Sequence, residues 1–453
     1  METPFPFEPF LVFGTMAIFL LIGIYLRARI GFFQRFLFPS CLIGGTLGLI
    51  VLNTGLFDLK ATDFEAFAYH FFTISFISVG LTPSSEQQTA GGGKEIFKGA
   101  FWMACIEGVT ISLQTIIGGL CVLLFAVLGV ELFSTFGFFL PLGFTEGPGQ
   151  AVSIGKTWEG FGFENAATIG LTFAAIGFLF AFFIGVPLVN WGIRKGHSTL
   201  GSITLPKDLL KGVIDRDKEK EPAGGLTMHS GNVDTLAFHL ALVGLVYVLT
   251  YGLVVLLGKV SSVNMAKGLW GFFFFFGLMI ALLIKWIMGR LGIAHLIDPG
   301  VQRRVTGWSV DFLIVATVMA VQMVIVMKYI VPIIVMSILS GIFTTWAILY
   351  LGSRLPSLNL ERTAVIYGTC TGTLSSGLLL LRVADPEFST PAVLEIGFMN
   401  LIVAPVIFAS MVLVNAPVWW GWSINLVMLI HVGILVLCLA LIKIFKLWGS
   451  PKF

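Results

Sequence analysis

The chain has 453 residues, is 57% hydrophobic and only 11% charged, and has a mean hydropathy of +0.96, far too apolar for a soluble domain of this length. A net charge of +3, with no basic cluster interleaved with stacking aromatics, argues against a nucleic-acid partner. The five cysteines (Cys41, Cys105, Cys121, Cys370, Cys438) lie in or beside apolar runs, with neither a disulfide framework nor metal-ligand spacing.

Apolar runs near 20 residues without period-2 alternation predict membrane-spanning helices. The amino terminus lacks a basic n-region and a cleavage site, so its first run is expected to remain a helix. Eleven spans are predicted in chain order: Phe10–Leu26, Phe36–Leu52, Phe64–Leu81, Phe101–Leu128, Ala166–Trp191, Leu236–Leu257, Leu269–Met288, Trp308–Met327, Tyr329–Leu351, Val393–Val414 and Ile424–Ile442. Two further apolar segments, Leu132–Ile154 and Ala364–Leu381, are broken by Gly, Pro and hydroxyl residues.

Charge decides whether those two cross or turn back. If both turn back, and Lys285 snorkels, all 27 Lys and Arg share one side except Lys60, Lys156, Lys259, Lys267 and Lys328. The positive side is cytoplasmic, which puts the amino terminus outside and the carboxyl terminus inside the inner membrane. The expected fold is therefore an all-α polytopic membrane protein with two inverted five-helix repeats, each with a re-entrant hairpin, plus an extra C-terminal helix. Residues 1–191 form the first repeat with hairpin 132–154, and 192–234 a cytoplasmic linker. Residues 235–422 form the second repeat with hairpin 364–381, and 423–453 the extra helix and tail.

Both hairpins carry ligand chemistry. The first presents Thr145, Glu146, Gly147, Pro148, Gly149, Gln150 and Ser153; the second presents Thr369, Thr371, Gly372, Thr373, Ser375, Ser376 and Gly377. Gly and Pro at an apex free backbone groups, tolerable at membrane depth only where protein or a watery cavity satisfies them. Carbonyls and hydroxyls suit Na⁺, and helix N-termini suit a carboxylate. The bland alternative is that small and hydroxyl residues permit close helix packing.

Ionisable groups inside spans are costly and call for a partner or a role. Glu107 shares a face with Gln114 and reads either as an ion or proton site or as a satisfied packing residue. Asp311 reads as a cation ligand or as an acid near the start of its helix. Glu395 is expected to reach cytoplasmic water. Asn165 and Asn400 each follow a hairpin and could close the site. His239 and His431 read best as hydrogen-bonded structural histidines, and Phe272–Phe276 as packing or lipid-facing bulk. Gly91-Gly-Gly-Lys94 is a failed phosphate loop, since Gln88 and Glu95 occupy required positions. No His-Glu-x-x-His or Gly-x-Ser-x-Gly motif is found, so no enzyme is expected.

These residues resemble the bacterial sodium:glutamate symporter (ESS) family, of which the chain would be a divergent member. The resemblance runs from Ile74–Leu81 through Gln114 to Phe398–Pro405. It is densest from Gly147 to Pro187, including Lys156, Gly162-Phe163, Asn165–Thr168, Gly177 and Gly185-Val-Pro187, and in the second hairpin. It implies an elevator-type carrier with Na⁺ as coupling ion, a small amino acid or carboxylate as substrate, and a homodimeric scaffold in the lipid bilayer. The substrate would be bound by Thr145, Glu146, Gly147, Gly149, Gln150, Thr371, Gly372, Thr373, Ser375, Ser376 and Asn400. Glu146, Asn165, Asp311 and Thr369 are the candidate Na⁺ ligands. The chain departs from the family pattern at Glu146, where a glycine is expected, and at Pro148, where a histidine is expected. Glu146 would repel an acidic substrate unless a cation or proton neutralised it. The alternative is thus a proton-coupled carrier or exporter of another solute with Glu146 protonatable; an intramembrane enzyme or a channel is further off.

Overall fold

The computed structural model describes residues 5–55, 59–83, 93–201, 205–218, 220, 222–386 and 388–452. Among them there are helices and no strands. The principal helices are α1 (Glu8–Arg29), α2 (Ser40–Leu52), α3 (Ala61–Leu81), α4 (Gly93–Val127), α5 (Phe139–Phe144), α6 (Pro148–Glu159), α7 (Ala166–Arg194), α8 (Thr235–Val260) and α9 (Val263–Arg290). They continue as α10 (Pro299–Met319), α11 (Ile330–Gly352), α12 (Asn359–Thr371), α13 (Leu374–Ala384), α14 (Ala392–Trp420) and α15 (Ile424–Ile444). Nine of these (α1, α3, α4, α7, α8, α9, α11, α14 and α15) are long and apolar enough to cross a membrane. The chain is an integral membrane protein.

Two of the eleven expected spans need correction. Phe36–Leu52 contains a helix only from Ser40, after Pro39; its 13 residues reach about 20 Å, short of a bilayer core. Trp308–Met327 is displaced: α10 begins at Pro299 and ends at Met319, with a separate short helix, Met323–Lys328, beyond. The Asp298 side chain accepts from Val301 N–H at 2.8 Å and Pro299 fills the first helical position. The helix thus starts in a polar stretch, Gln302-Arg303-Arg304, that hydropathy does not mark. The failed phosphate loop falls largely on residues 84–92, outside the described residues; Gly93 and Lys94 open α4.

The core is assembled by close approaches that only glycine permits. A Cβ on Gly118 of α4 would collide with the Gly137 carbonyl in the single 3₁₀ turn before α5. Gly23 and Gly44 bring α1 and α2 together in the same way. Phe272, Phe273 and Phe274 are buried, so the phenylalanine run is packing bulk. One π-helical turn, Phe180–Ile184, interrupts α7. In the linker, the Lys218 ammonium bonds Asp208 at 2.6 Å and holds that half-buried carboxyl below its ordinary range. Glu219 and Glu221 of the same linker lie outside the described residues.

Candidate functional site

Both broken segments break where glycine and hydroxyl residues sit. After α5 the chain passes Thr145 and Glu146, turns at Gly147 (φ 85°), and restarts with Pro148 at the first position of α6. α12 stops at Thr371, Gly372 is irregular, and Thr373 caps α13 by accepting from Ser376 N–H at 3.4 Å. The arms of the second segment lie against each other, Gly368 beside Gly377. In the first segment Phe139 and Ala151, one from each arm, meet the same glycine of α7, Gly170.

The breaks meet tip to tip. A Cβ on Gly147 would stand 2.9 Å from the Thr373 methyl and 3.0 Å from the Gly372 carbonyl oxygen. The middle of α4 joins them. Thr145 Oγ1 donates to Gln114 Oε1 at 2.8 Å and lies 3.2 Å from the Cys370 carbonyl. Gln114 Nε2 donates to that carbonyl and to Thr344 Oγ1 of α11, both at 3.2 Å. Thr110 Oγ1 donates to the Cys370 thiol at 3.2 Å. The break thus frees the Cys370 carbonyl as a shared acceptor.

Two carboxylates stand in this cluster. Glu146 Oε2 accepts from Gln150 Nε2 at 3.5 Å, while its Oε1 is buried without a partner. Glu107, one turn before Thr110, is buried and its Oε2 is also unpartnered. Glu107 is within electrostatic reach of Glu146, and the Cys370 thiol within reach of both. Gln150 Oε1 and Ser153 Oγ are buried and unpartnered as well. A buried polar group without a partner is costly, and a carboxylate more so. Oxygen atoms of this kind are the hard ligands that suit an alkali or alkaline-earth cation.

The remaining anticipated residues divide. Gly149 packs on the Phe72 ring. Thr369 and Thr371 turn their hydroxyls back to the Val365 and Tyr367 carbonyls at 2.8 and 2.7 Å. Ser375 and Ser376 open α13 and line a separate cavity of about 390 Å³ together with Asp311. Asp311 is thus in the middle of α10, exposed to that cavity, and not near the start of its helix. Asn165 occupies the N-cap position of α7 without a side-chain capping bond, at the far end of α6, and Asn400 is exposed on α14 with its amide on the Ile396 carbonyl at 3.0 Å. Neither has a described contact with the breaks. Glu395 does not reach water: it is fully buried and doubly paired with Arg362, Nε to Oε2 at 2.7 Å and Nη2 to Oε1. Sequence reasoning left Thr110, Thr344 and the Cys370 carbonyl out of the site. Only Gln114, on the Glu107 face, carried a signal.

A family model described as sodium/glutamate symporter matches residues 8–373. The chain belongs to that family. The matched stretch contains both helix breaks up to Thr373 and the whole of α4, while α13, α14 and α15 lie beyond it, including the Phe398–Pro405 stretch. No curated protein and no solved structure matches the chain. The symporter is a transport protein, not an enzyme, by the family it belongs to.

Proposed function

We propose that this symporter couples the entry of a cation, Na⁺, to movement of a small amino acid or carboxylate across the inner membrane. The observation that carries the reading is the pair of unpartnered buried carboxylate oxygens, Glu107 Oε2 and Glu146 Oε1, where two helix breaks meet. Thr145, Gln150 and the carbonyls released at the breaks complete an oxygen shell. The thermodynamic logic is that of an ion site which is costly when empty, so that filling it can be linked to a conformational change. Within this reading the expected hairpins 132–154 and 364–381, whose helices run over 136–159 and 359–384, are re-entrant and enter from opposite sides.

The packing supports an inverted repeat of residues 1–191 and 235–422. α1 packs on α2 as α8 packs on α9; α3 packs on α9 and α10, while α10 packs on α2 and α3. Exchanging α1 with α8, α2 with α9 and α3 with α10 leaves that set unchanged. An elevator built this way moves its hairpin-bearing part against a fixed scaffold, for which a homodimer is the simplest source.

Sidedness follows the basic residues. Lys156 pairs with Glu65 and Glu159, and Lys267 donates to the Gly160 carbonyl at 3.1 Å, a grouping of residues expected outside. Arg27 donates to the Leu209 carbonyl of the linker at 3.0 Å, and Gly449 N–H to the Arg354 carbonyl at 2.8 Å, a grouping expected inside. On a background lacking the native cysteines, a cysteine at Asp215 is expected to react with an impermeant maleimide only after cells are opened. Labelling in intact cells overturns this topology. The coupling is tested by solute counterflow in proteoliposomes with Na⁺ and pH gradients imposed separately. Acceleration by the Na⁺ gradient alone is expected; acceleration by the pH gradient alone transfers the role to a proton.

A further inference from the structure

A cavity of about 240 Å³ lies away from the helix breaks, where α4 and α12 begin and α15 ends. Its charged and polar lining is Lys94, Glu95, Lys98, Ser357, Arg362 and Lys446. Arg362 is neutralised by Glu395, and Lys98 meets Glu95 at 3.1 Å in an exposed contact. Lys94 and Lys446 are exposed, and among the described residues neither has a carboxylate within ion-pair distance. The cavity therefore keeps an excess of positive charge. Ser357 Oγ accepts from Arg362 Nη1 at 3.0 Å, which leaves its own proton to donate.

Lys446 is held there against its backbone preference. α15 ends in a Schellman turn, with Leu447 N–H on the Ile442 carbonyl at 2.9 Å and Lys446 N–H on the Lys443 carbonyl at 3.1 Å. The turn puts Lys446 at φ 57°, a position that favours glycine. The tail then anchors on the turn after α11, Gly449 N–H on the Arg354 carbonyl and Lys452 N–H on the Ser353 carbonyl, both at 2.8 Å. A cation thus occupies a glycine position, fixed on both sides, at the cavity wall.

The cavity sits at headgroup depth. The 35 residues of α4 reach about 52 Å against roughly 30 Å of hydrocarbon, so its first turns extend beyond the bilayer core. An apolar strip leads away from the cavity. Phe445 lines it and is half exposed; its ring centroid lies 4.6 Å from that of Phe101, which stacks at 5.8 Å on the half-exposed Phe97.

We propose that this cavity binds an anionic phospholipid, its phosphodiester on Lys94, Lys98, Lys446 and Ser357 and its acyl chains along Phe97, Phe101 and Phe445. Ammonium groups serve a phosphate as point charges, and basic pockets between helix ends at the membrane surface are where anionic headgroups lodge. The apolar strip favours a lipid over a free phosphate, which buries no apolar surface there. The lipid would tie α4 and α15 to the base of α12, beside the buried Arg362–Glu395 pair. The assignment does not depend on which ion or solute is moved.

The test is native mass spectrometry of the purified full-length protein with phosphatidylglycerol or phosphatidylcholine of matched chains, beside melting in lipid-free detergent. Phosphatidylglycerol is expected to be retained about tenfold more tightly than phosphatidylcholine. Combining Lys94→Gln, Lys98→Gln and Lys446→Gln is expected to remove that preference. Combining Lys195→Gln, Lys207→Gln and Lys220→Gln, the same charge change at other exposed positions, is expected to keep it. Lys446→Gly separates binding from folding. It relieves the turn, so it should melt later than wild type without lipid, yet bind phosphatidylglycerol about fivefold more weakly. Wild-type preference in the first triple variant overturns the assignment. Equal loss in both triple variants also overturns it, because surface charge in general would then be responsible. Wild-type retention of phosphatidylglycerol by Lys446→Gly overturns the placement of the phosphodiester. Displacement of the lipid by glycerol 3-phosphate, with an equal rise in melting temperature, gives the cavity to a soluble phosphate and overturns the lipid.

Discussion

Glu146→Gln weakens Na⁺ dependence of uptake by about tenfold to a hundredfold, at every pH at which wild type is active. The substitution keeps the shape at the break and the neighbour Gln150, and removes only the charge beside the unpartnered Oε1. A charge-assisted contact is worth roughly 1.5–3 kcal/mol, and about 1.4 kcal/mol is tenfold in affinity. Glu107→Gln is expected to act in the same direction, because its orphaned Oε2 serves the same cluster. The measurement is uptake into proteoliposomes across a Na⁺ titration at several pH values. Were Glu146 a proton carrier, the change would flatten the pH profile and leave counterflow partly intact. Wild-type kinetics and gradient dependence would leave Glu146 as a structural cap and refute both roles.

Arg362→Ala is expected to be the most destabilising single change outside the site, about 3–5 kcal/mol, read as an early loss of the folded peak on heating in detergent. Both members of the Arg362–Glu395 pair are buried, and Gly99 of α4 packs on the carboxylate so closely that a Cβ there would overlap it. Removing the guanidinium leaves an uncompensated buried charge, whereas replacing both partners with apolar residues is often neutral. Arg362→Met with Glu395→Leu should therefore melt nearer to wild type than Arg362→Ala. Equal melting of Arg362→Ala and wild type would show that the carboxylate finds another partner.

Much of the fold was legible because spans announce themselves by length and apolarity: Tyr329–Leu351 and Ile330–Gly352 are the same helix. α10 was misplaced because its first turns are polar and its start is written in a cap, Asp298-Pro299, and not in hydropathy. That error carried Asp311 with it. Glu395 looked solvated because it opens a span; nothing local shows that Arg362, 33 residues earlier, folds back onto it. His239 and His431 were readable as structural, and each has both ring nitrogens engaged, His239 by the Thr235 carbonyl and Asp298 N–H, His431 by the Val427 carbonyl and Ser410. Within the site, charge was the readable part: Glu146 and Glu107 stand out in apolar surroundings. Hydroxyl orientation was not. Thr369 and Thr371 count as ligands by type, yet each gives its proton to the carbonyl four residues back and keeps only lone pairs for a cation.

That back-bonding bears on how the chain reaches the bilayer during synthesis. A threonine whose hydroxyl is satisfied within its own helix needs no neighbour to offset its polarity, so the hydroxyl-rich end of α12 can leave the translocon as if it were nearly apolar. Arg362, at the other end of the same helix, cannot. It emerges before α14 exists and has to stay at a headgroup level until Glu395 is made. The polar tip can thus insert early while the charged base waits, and the second broken segment becomes seated only when α14 follows it out of the ribosome.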